Sequence, residues 1–299
     1  MNLVMDEQGV EELQKQTIAV SMKQKKFGNS KKLDEENHRT ITRSIDADPE
    51  RIKATEMIVN SKHPAYKEVT SLMSKAKRDF VERTVSFPEP TIRLMHIDRV
   101  DSFNLEIAGI CEELERQVAV LDDHRNELVE DARAKLGSAF KPEYYPTSFR
   151  DSFSIEVSYP SVGPDERLKN LNPTLYEQQR QRFEAMMNQA IEETTTALAT
   201  ELETIFGRLA TNLAEGKRLR SDMLEPLNSF LDRFSDLRIG SNQAIRDIVD
   251  HARTILSQTN EVQIARNGSA RIAVAQSLAP LHEQVVNMVQ ARNVRRIEL

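Results

Sequence analysis

The chain has 299 residues, 29% of them charged and 39% hydrophobic, with a net charge of −6, no Trp and only 5% aromatics. That balance reads as a soluble, mainly helical protein: the net acidity argues against a general nucleic-acid binder, and apolar runs fall short of the ~20 residues a bilayer span needs. A single cysteine, Cys111, excludes an intramolecular disulfide, and the start Met1–Glu7 lacks a signal-peptide core, so the expected compartment is the cytoplasm.

Residues 1–16 read as a short helix through Leu3, Val4, Val10 and Leu13. From Thr17 to Lys23, Ile18, Val20 and Met22 alternate with Thr17, Ala19, Ser21 and Lys23, the period of a half-buried strand. Lys23, Lys25, Lys26, Lys31 and Lys32 follow around Phe27 and Gly28, a solvated loop or a candidate phosphate contact. Asp48-Pro49-Glu50 has the form of a helix start, predicting a helix to about Ser61 that Pro64 interrupts; a second helix continues through Tyr66, Val69, Leu72, Met73, Ala76 and Phe80. Val85 and Phe87, then Ile92 and Leu94, predict two short strands around Pro88-Glu89-Pro90.

Two long amphipathic arms dominate the chain. The first starts near Asp98, a candidate N-cap, and carries Val100, Phe103, Ile107, Ile110, Leu114, Val118, Leu121, Leu128 and Leu136 to a C-cap at Gly137. At ~1.5 Å per residue its ~38 residues extend ~57 Å. The second opens at Asn172-Pro173 and runs through Phe183, Met187, Ile191, Leu198, Leu202, Phe206 and Leu213 to Gly216, with Lys217, Arg218 and Arg220 beyond. Steps of three and four place these side chains on one face, and the two stripes are expected to pair as a long antiparallel, coiled-coil-like hairpin.

Between the arms, residues 140–173 hold five of the eleven prolines. Phe153, Ile155, Val157 and Tyr159 alternate there with polar residues, the strongest strand signal in the chain. Together with 17–23, 84–87 and 91–94 it predicts a sheet of three or four strands. Three shorter helices are expected at the end: 224–237, 241–258 and 270–291, the last kinked at Pro280. The resulting division is 1–96, a strand and helix region feeding the small sheet; 97–216, the arms with their inserted strand; and 217–299, the C-terminal helices.

No chemistry-bearing motif stands out. The glycine spacing admits neither a dinucleotide fingerprint nor a P-loop. The six histidines form no local zinc pattern. Asp122-Asp123-His124 reads as a solvated helix face, His96-Ile97-Asp98 as a strand-to-helix junction, Arg150 as a surface ion-pair partner and Cys111 as a structural thiol on the apolar seam. The expected catalytic, cofactor and metal residues are therefore none. The remaining candidates are nucleic-acid contacts at Lys23, Lys25, Lys26, Lys31, Lys32, Lys217, Arg218 and Arg220.

The opening strand, the Val85-Ser86-Phe87-Pro88 segment ahead of a long helix, and Tyr145-Pro146-Thr147-Ser148-Phe149-Arg150-Asp151-Ser152-Phe153-Ser154-Ile155-Glu156-Val157 resemble an uncharacterised bacterial and phage domain family over roughly residues 15–215. Members of that family are encoded beside a MoxR-type AAA+ ATPase and a von Willebrand A-type protein. The resemblance implies those two as partners and assigns no catalytic residue. The leading expectation is a non-enzymatic helical scaffold, an accessory subunit of an AAA+ ATPase system, with self-association as a further possibility. The alternatives are a nucleic-acid-binding protein using the basic clusters, which the net charge disfavours, and a phage structural or assembly component.

Overall fold

The alternation at residues 17–23 does form the first strand, β1 (Thr17–Lys25), which runs past the expected end through Lys25. The computed structural model describes residues 15–214, 221–236, 243–258 and 268–297. The expected helix over 1–16 lies almost wholly outside them, as do Lys217, Arg218 and Arg220. Strand β2 (Ser30–Lys32) pairs antiparallel with β3 (Thr55–Met57), Lys31 opposite Glu56. Helix α1 (Glu35–Ser44) lies between them, capped by Asp34, whose carboxylate accepts from Asn37 N–H at 2.9 Å.

No helix forms over 48–61. Asp48 instead closes a turn: Glu50 N–H donates to its Oδ1 and Arg51 N–H to its carbonyl, each at 3.0 Å. Thr55–Met57 then enters a ladder, so pairing with β2 overrides the local capping signal. Pro64 does not interrupt a helix; it begins α2 (Pro64–Glu82), at a first-turn position whose missing N–H costs nothing.

Strands β4 (Val85–Ser86) and β5 (Ile92–His96) appear on either side of the Pro-Glu-Pro turn, as expected. They pair antiparallel, and β5 pairs antiparallel with β1 from Thr17 opposite His96 to Ser21 opposite Ile92. With β6 (Ser154–Ser158) the strand order is β4-β5-β1-β6, the four strands read from the sequence. Arg93 fastens the β4–β5 corner, donating through Nε to Thr84 Oγ1 and through Nη2 to the Thr84 carbonyl, 2.8 Å away.

The first arm is two helices, α3 (Val100–Asp123) and α4 (Arg125–Leu136), separated at His124. Gly137 ends it with φ +54°, a conformation that only glycine adopts without strain, and its N–H bonds the Arg133 carbonyl. The strand-to-helix junction differs in detail from expectation. His96 Nδ1, not Asp98, accepts the local N–H, that of Asp98 at 3.3 Å. After the short α5 (Arg167–Leu171), the second arm is one helix, α6 (Pro173–Ala214), with Asn172 Oδ1 taking Leu175 N–H at 3.1 Å as the predicted cap. Three helices follow near the expected positions: α7 (Ser221–Asp236), α8 (Gln243–Ser257) and α9 (Gly268–Ile297). The fold is mainly α with a small antiparallel sheet.

The chain groups into two compact units, each assembled from non-consecutive segments. One comprises residues 1–21, 81–100 and 159–299. In its core Ala19, Val85, Phe87 and Leu94 from the sheet meet Phe183, Met187, Leu202 and Phe206 of α6, Leu227 and Phe230 of α7, Ile245 and Val249 of α8, and Leu281 and Val285 of α9. The most extensive helix partner of α6 is α9.

The other unit comprises residues 22–80 and 101–158. Here Leu114, Val118 and Leu121 of α3 and Leu128 and Ala132 of α4 close on Tyr66, Val69 and Met73 of α2 and on Tyr145, Phe149 and Phe153. The arms thus carry the stripes the spacing predicts, but each stripe closes a core of its own, where a common seam was expected. Periodicity specifies which face of a helix is apolar; it does not specify which other face covers it.

Candidate functional site

The five lysines that sequence analysis singled out and that lie in the described chain are all solvent-exposed on the end of β1, the turn after it and β2. Among the described residues Lys23, Lys25, Lys26 and Lys32 enter no ion pair. Lys31 lies over the Tyr144 ring, 5.8 Å from its centroid, and Lys141 lies at the same distance from that ring.

Lys141 also bonds the Asp34 carboxylate at 3.1 Å. The Asn37 backbone N–H, then Lys141 and the Asn37 side chain, bring the Asp34 carboxyl down to about 2. Glu56 stands in contrast: it is buried, and neither carboxylate oxygen has a hydrogen-bond partner among the described residues. Burial raises its carboxyl, the Asp34 charge raises it further, and Lys141 opposes them. The Tyr145 hydroxyl donates to the Ile58 carbonyl at 2.7 Å, and burial with the Glu56 charge pushes that phenol up to about 12.

Asp122 is not the solvated residue its neighbours suggest. One oxygen accepts the Phe149 N–H at 2.7 Å; the other accepts the Ser148 hydroxyl at 3.0 Å and lies 3.4 Å from Arg150 Nε. Arg150 is two-thirds exposed, the surface ion pair expected of it. Cys111 is half-buried, and burial together with Glu115 pushes its thiol up, away from the reactive thiolate.

One cluster was missed. His63 sits just before Pro64 at the start of α2, and His124 and Glu127 sit at the α3–α4 junction. His63 Nε2 is 3.6 Å from Glu127 Oε1, and His124 Nδ1 is 2.9 Å from Glu127 Oε2. The imidazole rings meet edge to face at 5.1 Å. All three donor atoms lie within 4.8 Å of one another, among the described residues a grouping with the donor set of a metal site. The signal available in sequence was His-x-x-Glu at 124–127, one helix face at a spacing of three. It is common on helices, and His63 is too distant in sequence to join it without the fold.

The unit built on the C-terminal helices has an open groove of about 580 Å³ between Ile18, Ala19 and Leu94 of its sheet, Val162 and the Phe183 and Met187 face of α6. Its charged rim is internally paired: Arg180 bonds Glu184 at 2.7 Å, and the Tyr176 hydroxyl donates to Glu166 at 2.9 Å.

Among the described residues no helix is long and apolar enough to cross a membrane. Compared with models of known protein families, with curated proteins and with solved structures, the chain matches none.

Proposed function

We propose that the protein is a non-enzymatic helical interaction subunit, working in the cytoplasm as an accessory of an AAA+ ATPase system. The observation that carries this reading is α1. Its exposure runs against the usual rule: Thr42 is buried, while Ile41 in its last turn and Ile45, the residue that ends it, are 44% and 60% exposed. Met57 on β3, in the same unit, is also exposed. Scattered apolar side chains are ordinary on a surface, but an apolar pair at the exposed end of an otherwise polar helix is a surface that a partner helix can pack against. The family resemblance directs the choice of partner to a MoxR-type ATPase and a von Willebrand A-type protein.

The test is co-elution with light scattering, using the purified chain with a MoxR-type ATPase and a von Willebrand A-type protein. The wild type is expected to form a complex, and an Ile41→Asp, Ile45→Asp double variant to lose it with unchanged helicity. A wild type that elutes alone, as a monomer, in every mixture removes the reading.

The exposed lysines favour a second reading, binding to nucleic acid. Its test is a titration of duplex DNA or RNA against salt. Binding through those lysines has a log–log slope of about −0.9 per phosphate neutralised, and that slope should flatten in a Lys23→Ala, Lys25→Ala, Lys26→Ala variant.

A further inference from the structure

We propose that His63, His124 and Glu127 bind a divalent transition-metal ion, zinc being the best match, and that the ion ties the start of α2 to the α3–α4 junction. Two imidazoles and one carboxylate are a donor set that zinc accepts, usually in four-coordinate geometry with bonds of ~2.0–2.2 Å. Bonds of that length at tetrahedral angles separate the donor atoms by ~3.3–3.6 Å. Glu127 Oε1 stands 3.6 Å from His63 Nε2 and Glu127 Oε2 stands 2.9 Å from His124 Nδ1, so the carboxylate faces both imidazoles near that spacing. The three donors converge to within 4.8 Å without any rearrangement of the backbone. Magnesium and calcium prefer oxygen ligands throughout and fit this set poorly.

Local structure favours the assignment in three ways. His63 turns its Nε2 toward the Glu127 carboxylate, 3.6 Å from Oε1. The His63 backbone is held on both sides, its N–H donating to the Asn60 carbonyl at 3.0 Å and its carbonyl accepting from Lys67 N–H at 2.9 Å. Arg125, next to His124 in sequence, is drawn elsewhere: its Nε donates to the Pro146 carbonyl at 2.6 Å and its Nη1 to Asn126 Oδ1 at 3.2 Å. The side chains of His124 and Glu127 are 46% and 63% exposed, which gives an ion an entry path and leaves a fourth position for water. The chain supplies ligands from two elements remote in sequence, so binding adds a cross-link that the unfolded chain lacks.

The inference is independent of the interaction role. Its test uses the full chain without an affinity histidine tract. Zn²⁺ is titrated in competition with a chromophoric chelator, and Co²⁺ is added separately for its visible spectrum. The expected result is one tight Zn²⁺ equivalent per chain, intense visible bands of four-coordinate cobalt, and a rise in the thermal midpoint on adding Zn²⁺. His124→Ala and Glu127→Gln, at exposed positions that leave the fold intact by circular dichroism, should each lower Zn²⁺ affinity at least about tenfold, and His63→Ala should do the same. His251→Ala, on α8 in the other unit, should change nothing. A wild type that binds no more tightly than the His124→Ala variant, or cobalt bands that survive in the Glu127→Gln variant, would overturn the assignment.

Discussion

Asp122 and Phe149 are joined by a 2.7 Å hydrogen bond, the backbone N–H of Phe149 donating to Asp122 Oδ1. The bond carries a consequence for the core, because Phe149 is fully buried and meets Phe27 edge to face at 5.2 Å. A carboxylate near the end of α3 thus holds the turn that drives a phenyl ring into the unit built on α2, α3 and α4. Burial on its own would raise the Asp122 carboxyl, but the Phe149 N–H, the Ser148 hydroxyl and Arg150 together hold it below its ordinary value.

Asp122→Ala is therefore expected to destabilise the protein by about 1.5–3 kcal/mol, the range for hydrogen bonds to a charged group. The contribution is fully present above the unfolded carboxyl value near 3.9 and is lost as pH falls through the lower folded value. Urea denaturation of wild type and variant at neutral pH and in acid below the folded carboxyl value checks both the size and the convergence. A variant as stable as the wild type at neutral pH would show that the turn holds itself.

Glu56→Met should act in the opposite sense. The carboxylate is buried and unpartnered, and its carboxyl is raised. A raised acid contributes stability that is present below its unfolded value and is lost as pH climbs through the folded one. Replacing it with an apolar side chain of similar length is expected to stabilise the protein by about 1–3 kcal/mol at neutral pH. The gain should shrink as pH falls through the raised folded value and be gone below the unfolded value near 4.5. Thermal midpoints at neutral and acid pH decide: no gain at neutral pH means that the charge is compensated in solution.

Tyr145→Phe removes the donor to the buried Ile58 carbonyl, with an expected loss of about 1–2 kcal/mol. The wild-type phenol is pushed up from 10.0 to about 12, so its folded form favours the protonated state. That contribution is complete below 10.0 and disappears as pH passes about 12. With no Trp in the chain, ultraviolet titration of phenolate is clean. The variant should lack the late-titrating phenol, and an unchanged late phase would assign it to another tyrosine.

Leu121 and Leu202 are both fully buried, in different cores. Each Leu→Ala change is expected to cost about 2–5 kcal/mol. Hydrogen exchange should place the damage apart: Leu121→Ala accelerates amides of α2, α3 and α4, and Leu202→Ala those of α6, α8 and α9. Equal acceleration across all six helices in both variants would contradict the separation of the cores.

Much of this molecule was legible without coordinates. Alternation alone placed strands at 17–23, 84–87, 91–94 and 153–159, where four strands form at 17–25, 85–86, 92–96 and 154–158, because a sheet with one covered face demands a period of two. Steps of three and four located the long helices and the residues they bury, and Asn172, Pro173 and Gly137 marked ends of the arms through capping chemistry. The helix expected over 48–61 failed because Asp48-Pro49-Glu50 is as good a turn as it is a cap, and cross-strand pairing of 55–57 settled the matter.

What the tertiary structure decided was partnership. The apolar stripes at Leu121 and Leu202 look alike in sequence, yet one is covered by α2 and the Phe149 turn and the other by the C-terminal helices. The same holds for chemistry: Glu56 falls in the helix expected over 48–61 and is buried on β3, Asp122 reads as solvated and anchors a turn, and His63 meets His124 and Glu127 only after folding. The reason is physical. Periodicity and capping are short-range properties written into a few neighbouring residues, whereas burial and juxtaposition depend on which distant surface arrives to exclude water.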